Sequence, residues 1–210
     1  MQLKEGVMQS NEGRIAKPRL QGVHHTARPT WKLRETVEFY RDRMGLALVH
    51  AISAKGWGPP GHPDFLHFFF DSGNGSTIAF FYYIGVEQPD YLRHRVQWDG
   101  DSVHTSWGVE RQEELLEWKA ALEARGVDVF MRVHHELIDS IYFRDPNGYL
   151  LEITWQIRPM NALDAGDAER TLEAAIAVES EAAAAGTALK NIEGIWRRKA
   201  QLVRALEAKE

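Results

Sequence analysis

The chain has no cysteine among its 210 residues. Disulfides, thiolate metal sites and cysteine nucleophiles are therefore excluded, and a bound metal has only His, Asp, Glu or backbone oxygen to coordinate it. Long uncharged apolar runs are also missing, so no transmembrane helix is expected and no membrane partner. Clustered basic residues are missing too. Lys and Arg number 25 against 30 Asp and Glu, a net charge of −5, which argues against nucleic acid as a partner. The opening stretch MQLKEGVMQSNEGRIAKPRL has no apolar core of the signal-peptide kind, so the cytoplasm is the expected compartment. What remains is an ordinary globular composition, 44% hydrophobic and 26% charged, and long enough for one sizeable core or two small fused ones.

Within that composition lies a weak internal repeat. A short strand, Gly22 to Arg28, carries His25, and a helix follows from about Thr30 to Met44 with Thr30 as N-cap. Leu33, Val37, Tyr40 and Met44 recur at helical spacing, and Gly45 stops the helix. Three strand-like runs follow: LALVHA, DFLHFFF and STIAFFYY. The plan then repeats. Asp101 to Val109 carries His104, a helix covers about Gln112 to Arg125 and ends at Gly126, and the strands are VDVFMRV, DSIYFRD and YLLEITW. Asp145-Pro146-Asn147-Gly148 makes a tight turn between the last two. The expected fold is α+β: two βαβββ modules, residues 20–85 and 101–156 of a 20–156 body, forming a metal-centred cleft. An arm, residues 1–19, precedes it, and a helical C-terminal extension, 157–210, follows. In that extension helices are expected over about Asp167 to Ala185 and Thr187 to Lys209, the second with an apolar stripe of Leu189, Ile192, Trp196, Val203 and Leu206.

Chemistry-bearing residues fall at matching points of the two copies. His25 and His104 each stand in an opening strand just before a threonine. Glu152 lies four residues beyond Gly148, and Ala79 four beyond Gly75. A carboxylate inside the apolar run YLLEITW must be solvated, paired or bound to a metal. Two imidazoles and one carboxylate from separate strands make a set that leaves about half of an octahedral shell open. Singly, each histidine reads first as a structural residue; taken together with Glu152 at equivalent points of two copies, they read as ligands, and His24 points to the other face of a regular strand. His135 and Tyr142 lie upstream of Glu152, the one able to exchange protons near neutrality, the other a directional hydroxyl donor. The aromatic residues Phe65, Phe68, Phe69, Phe70 and Phe80 to Tyr83 crowd the first copy. Alternation sends part of that set to the cleft, where it suits an aromatic ring. The Gly/Pro-dense loop Lys55 to Pro63 is a candidate rim.

With these residues in place, about Leu20 to Gln156 resembles the vicinal oxygen chelate (glyoxalase, bleomycin-resistance, dioxygenase) superfamily. Val133, His135, Ile141, Tyr142, Asp145, Pro146, Gly148 and Glu152 hold the places of the signature of type I extradiol ring-cleaving dioxygenases. The resemblance implies His25, His104 and Glu152 as metal ligands, iron(II) or in some members manganese(II), and His135 and Tyr142 as groups contacting substrate. It implies a catechol-like aromatic substrate and O2, and a homodimer as the usual assembly. A lyase or isomerase of the glyoxalase or epimerase kind, and a non-catalytic binder of aromatic ligands, are the alternatives within the fold. One feature departs from the pattern. The stretch NGSTIAFFYY lacks the further acid-base histidine of extradiol enzymes, and His67 on the preceding strand is the candidate substitute.

Overall fold

A computed structural model describes residues 23–93 and 98–207. The chain forms two four-stranded sheets followed by helices. The first sheet contains β1 (His25–Pro29), β2 (Leu48–Ala54), β3 (Phe65–Gly73) and β4 (Ser76–Tyr83), in the order β1-β4-β3-β2. β1 runs parallel to β4, and the other pairs are antiparallel. The second sheet contains β5 (Thr105–Val109), β6 (Met131–His134), β7 (Ile138–Arg144) and β8 (Leu150–Gln156), in the order β5-β8-β7-β6. In both sheets the opening strand of a copy thus lies against its last strand, as the repeat implies.

Packing divides the chain into two units. The first takes in the chain up to Trp107 together with Lys119–Phe130 and Tyr142–Glu152. The second takes in Gly108–Trp118, Met131–Ile141 and the chain from Ile153 on.

In the first unit, one face of the first sheet is covered by α1 (Leu33–Val37), which continues as a π-helical turn over Glu38–Arg43. Tyr40 is fully buried there, stacked on Phe70 and tilted against Phe80. Burial of each such ring contributes about 2 kcal/mol. Thr30 does not cap α1 in the expected way. It is buried and extended, its hydroxyl accepting from the Lys32 N–H while sharing bonds with Thr36 and Asn147. The helix N-cap is Lys32, without a side-chain bond. Gly45 and Gly126 both adopt φ 73°, a conformation that glycine enters without steric cost, and each terminates its helix as read from the sequence.

The Asp145 turn clamps this unit. Its carboxylate accepts from the Asn147 and Tyr149 N–H groups at 2.8 and 3.0 Å and from the Tyr40 hydroxyl at 3.1 Å. Burial still pushes the carboxyl above its ordinary range, against those donors. The strand read at VDVFMRV starts only at Met131. The Val127 N–H donates to the Leu122 carbonyl, so the first of these residues complete the cap of α3 (Gln112–Ala124). A short helix, α2 (Trp98–Asp101), precedes β5.

In the second unit Ser140 and Thr154 hydroxyls bond across β7 and β8, and Arg132 forks onto Asp139. Two helices, α4 (Ala162–Ala184) and α5 (Glu193–Glu207), pack on each other. Both start elsewhere than expected. Asn161 and Asp164 form a capping box that starts α4 five residues early, and Asn191 accepts from the Glu193 N–H, which delays α5. Leu189 and Ile192 therefore precede the helix whose stripe they were read into. None of the helices is long and apolar enough to cross a membrane among the described residues. The expected arm, residues 1–19, lies outside the described residues.

Candidate metal centre

Glu152 lies on β8 with 4% of its surface exposed, which removes the reading of a solvated strand face. Its carboxylate is held from two sides. The Tyr142 hydroxyl on β7 donates to Oε1 at 2.9 Å, and Nε2 of His104 lies 3.0 Å from Oε2. His104 sits one residue before β5, its side chain one-third exposed.

The ring orientation of His104 is informative. Nδ1 lies 3.0 Å from the Asp101 carbonyl oxygen, an acceptor, so Nδ1 carries the hydrogen. In the neutral tautomer this leaves a lone pair on Nε2, directed at a carboxylate oxygen. Two lone pairs at 3.0 Å repel unless a proton or a cation lies between them. The backbone bond to Nδ1 is the outer contact that fixes a metal-binding imidazole. Asp101 is in turn forked by Arg144 at 2.9 Å on each oxygen, and Arg144 also reaches the Gly148 carbonyl. The tight turn, the short helix before β5 and the two donors are thus one hydrogen-bonded frame.

His25 starts β1 and is exposed, its Nδ1 2.9 Å from Nδ1 of His24. It shares a sheet face with Thr77, Ala79, Phe81, His67 and Phe69, by register and strand alternation. Its ring meets those of Phe69 and His67 edge-on, at centroid separations of 5.9 and 6.5 Å. Within the first unit Arg28 of β1 bonds the Thr105 hydroxyl of β5, which brings the two opening strands together. Among the described residues no three His, Asp or Glu side chains are gathered closely enough to hold one ion. The structure therefore assembles His104 with Glu152 and leaves His25 apart from that pair. The donors' chemistry suits a divalent ion, and a proton or a cation between His104 and Glu152 accounts for their 3.0 Å approach.

His135 is exposed in the turn after β6, its N–H on the Ile138 carbonyl, and belongs to the second unit. His67 is 8% exposed, stacked on Phe81 at 3.7 Å, with Nδ1 3.1 Å from the Phe80 carbonyl. Burial holds its imidazole below the ordinary histidine value. Its face, undetermined in the sequence, is that of His25. Two features of this face were overlooked in the sequence. One is His50, whose ring lies 5.5 Å from Phe69. The other is Thr77, whose buried hydroxyl has no partner among the described residues. Strand alternation counted back from Ala79 finds Thr77; nothing in the sequence signals that its hydroxyl is unpaired.

Residues 22–153 match the Glyoxalase/Bleomycin resistance protein/Dioxygenase superfamily. The chain belongs to that superfamily. Lactoylglutathione lyase from Agrobacterium tumefaciens is 25% identical with a TM-score of 0.47, covering 66% of this chain and 96% of that one. A domain of the superfamily from Frankia sp. EAN1pec is 19% identical with a TM-score of 0.49, over 68% and 96%. The fosfomycin resistance protein FosX from Listeria monocytogenes, a mutant form in complex with Mn(II) and 1S,2S-dihydroxypropylphosphonic acid, is 18% identical with a TM-score of 0.45, over 68% and 96%. No curated protein matches this chain.

Proposed function

We propose that the protein is a metal-dependent ring-cleaving dioxygenase of the extradiol type, acting on a catechol-like aromatic and O2. The observation that carries this is His104 Nε2 lying 3.0 Å from an oxygen of the buried Glu152 carboxylate, with Nδ1 committed to the Asp101 carbonyl. The ligands would be His104, Glu152 and His25, and the ion iron(II), or manganese(II). When bound, the ion supplies a site at which two vicinal substrate oxygens and O2 meet.

The chain's own residues divide the remaining work. Asp101 fixes the His104 tautomer, and Tyr142 orients the Glu152 carboxylate so that Oε2 stays toward His104. His67 takes the place of the missing acid-base histidine. Its Nδ1–H is committed to the Phe80 carbonyl, which leaves Nε2 able to accept a proton from a substrate hydroxyl, and burial favours its neutral form. His135 is assigned to the substrate side by the signature it shares with extradiol enzymes. Ala79, fully buried, supplies a methyl where a four-donor lyase site would place a carboxylate. We place the enzyme in the cytoplasm as a homodimer without nucleic-acid or membrane partners.

One observation favours a second reading, a metal-free binder of aromatic ligands: the absence of a three-donor cluster among the described residues. Oxygen uptake separates the two. Anaerobic loading with iron(II), followed by oxygen and a panel of catechols, is expected to consume one O2 per ring opened. Tight metal binding without uptake would shift the assignment to a lyase or isomerase, and absence of metal binding would leave the binder.

A further inference from the structure

A cavity of about 510 Å3 lies beside the His25 face of the first sheet, lined by Trp31, His62, Phe81, Tyr83, Pro89 and Tyr91 among others. Its volume falls within the range of pockets for drug-sized ligands, roughly 300–1,000 Å3, and is generous for a single dihydroxybenzene ring. Phe81 connects it to the site. Its ring is stacked at 6° on His67, whose ring lies 6.5 Å from that of His25, and at 7° on Tyr83, which lines the cavity. The walls therefore offer parallel aromatic planes running away from the proposed reacting end.

Among the described residues the lining contains no carboxylate and no lysine. Its guanidinium, Arg28, is engaged by the Thr105 hydroxyl and lies over the Tyr149 ring at 4.8 Å. A cationic ligand thus finds no counter-ion in this lining. One polar group is left unused: the Trp31 indole Nε1–H is buried without a partner among the described residues. A buried donor in that state costs about 1–3 kcal/mol, which an incoming acceptor removes. At the rim Tyr91 is 84% exposed and Leu92 40%, an apolar edge that a flat ligand would cover.

We propose that this cavity is a substrate subsite for the far end of a flat, multi-ring aromatic carrying a hydrogen-bond acceptor for Trp31. The assignment rests on the ring-cleavage reading only for which end reacts; binding itself requires neither metal nor oxygen. Isothermal calorimetry on the metal-free protein tests it with α-naphthol, naphthalene and catechol as probes. α-Naphthol is expected to bind about tenfold tighter than catechol. Trp31→Phe is expected to weaken α-naphthol about tenfold and to leave naphthalene unchanged. Tyr91→Ala, an exposed site whose change spares the core, is expected to weaken both α-naphthol and naphthalene by a similar factor of about three. Catechol binding as tightly as α-naphthol would overturn the proposal, as would Trp31→Phe or Tyr91→Ala without effect. Binding of α-naphthol without any oxygen uptake would remove ring cleavage and keep the subsite. Oxygen uptake on catechol without α-naphthol binding would do the reverse.

Discussion

Tyr142 and Glu152 form the tightest test at the residue scale. The phenol bonds a carboxylate that is 4% exposed, so Tyr142→Phe removes a donor from a buried oxygen. The expected cost is about 1–3 kcal/mol in urea unfolding, together with a loss of roughly 10–100-fold in metal affinity, because the oxygen facing His104 is no longer fixed. A purely packing tyrosine would show neither. Asp139 gives the corresponding test by pH. The Arg132 fork holds its carboxyl below the ordinary range in the folded state. Its contribution is therefore present above the unfolded value of about 3.9 and is lost as pH falls through the folded value. Asp139→Asn is expected to be less stable at neutral pH and to show a shallower decline between roughly pH 4 and 2, measured by denaturant melts. Identities of this kind were partly legible in the sequence. Glu152 stood out because a carboxylate in an apolar strand needs a reason. The reason itself, a histidine tautomer set by the Asp101 carbonyl, depends on a backbone oxygen that no side-chain pattern announces.

Among the elements, the turn from Asp145 to Tyr149 has the widest reach. From the sequence it was a hairpin turn, and that much follows from Pro and Gly at fixed offsets. In the fold it also fastens α1 through Tyr40 and Asn147, and it fastens the short helix before β5 through Arg144. Asp145→Ala would strip acceptors from two backbone N–H groups and one buried phenol. A loss of about 3 kcal/mol is expected in thermal or urea unfolding, with Asp145→Asn recovering part of it. The strands and their order were legible because hydrophobic alternation and turn residues repeat across the two copies. Helix starts were less so. Thr30 looked like a cap and became a buried strand-end residue, since its hydroxyl found Thr36 and Asn147 instead of a helix N–H alone. The starts of α4 and α5 were set by Asn side chains, which compete for backbone donors locally and leave no periodic trace.

For the molecule as a whole, the central claim is that donors on β1 and β8 and one residue before β5 serve one ion. Two of them, His104 and Glu152, stand at 3.0 Å; the third, His25, rests against His24 on the opening strand of the first copy. The internal repeat carried the family assignment, because equivalent positions in two copies give single histidines a common meaning. Convergence of all three lies beyond what periodicity can deliver, since it depends on how strands meet and on the cation itself. Anaerobic equilibrium dialysis against iron(II) tests it most directly, in wild type and in His25→Ala, His104→Ala and Glu152→Gln. The expected result is one ion per chain in wild type and a loss of affinity of about 100-fold or more in each variant. Wild-type affinity in His25→Ala, alongside loss in the other two, would contradict the three-ligand centre.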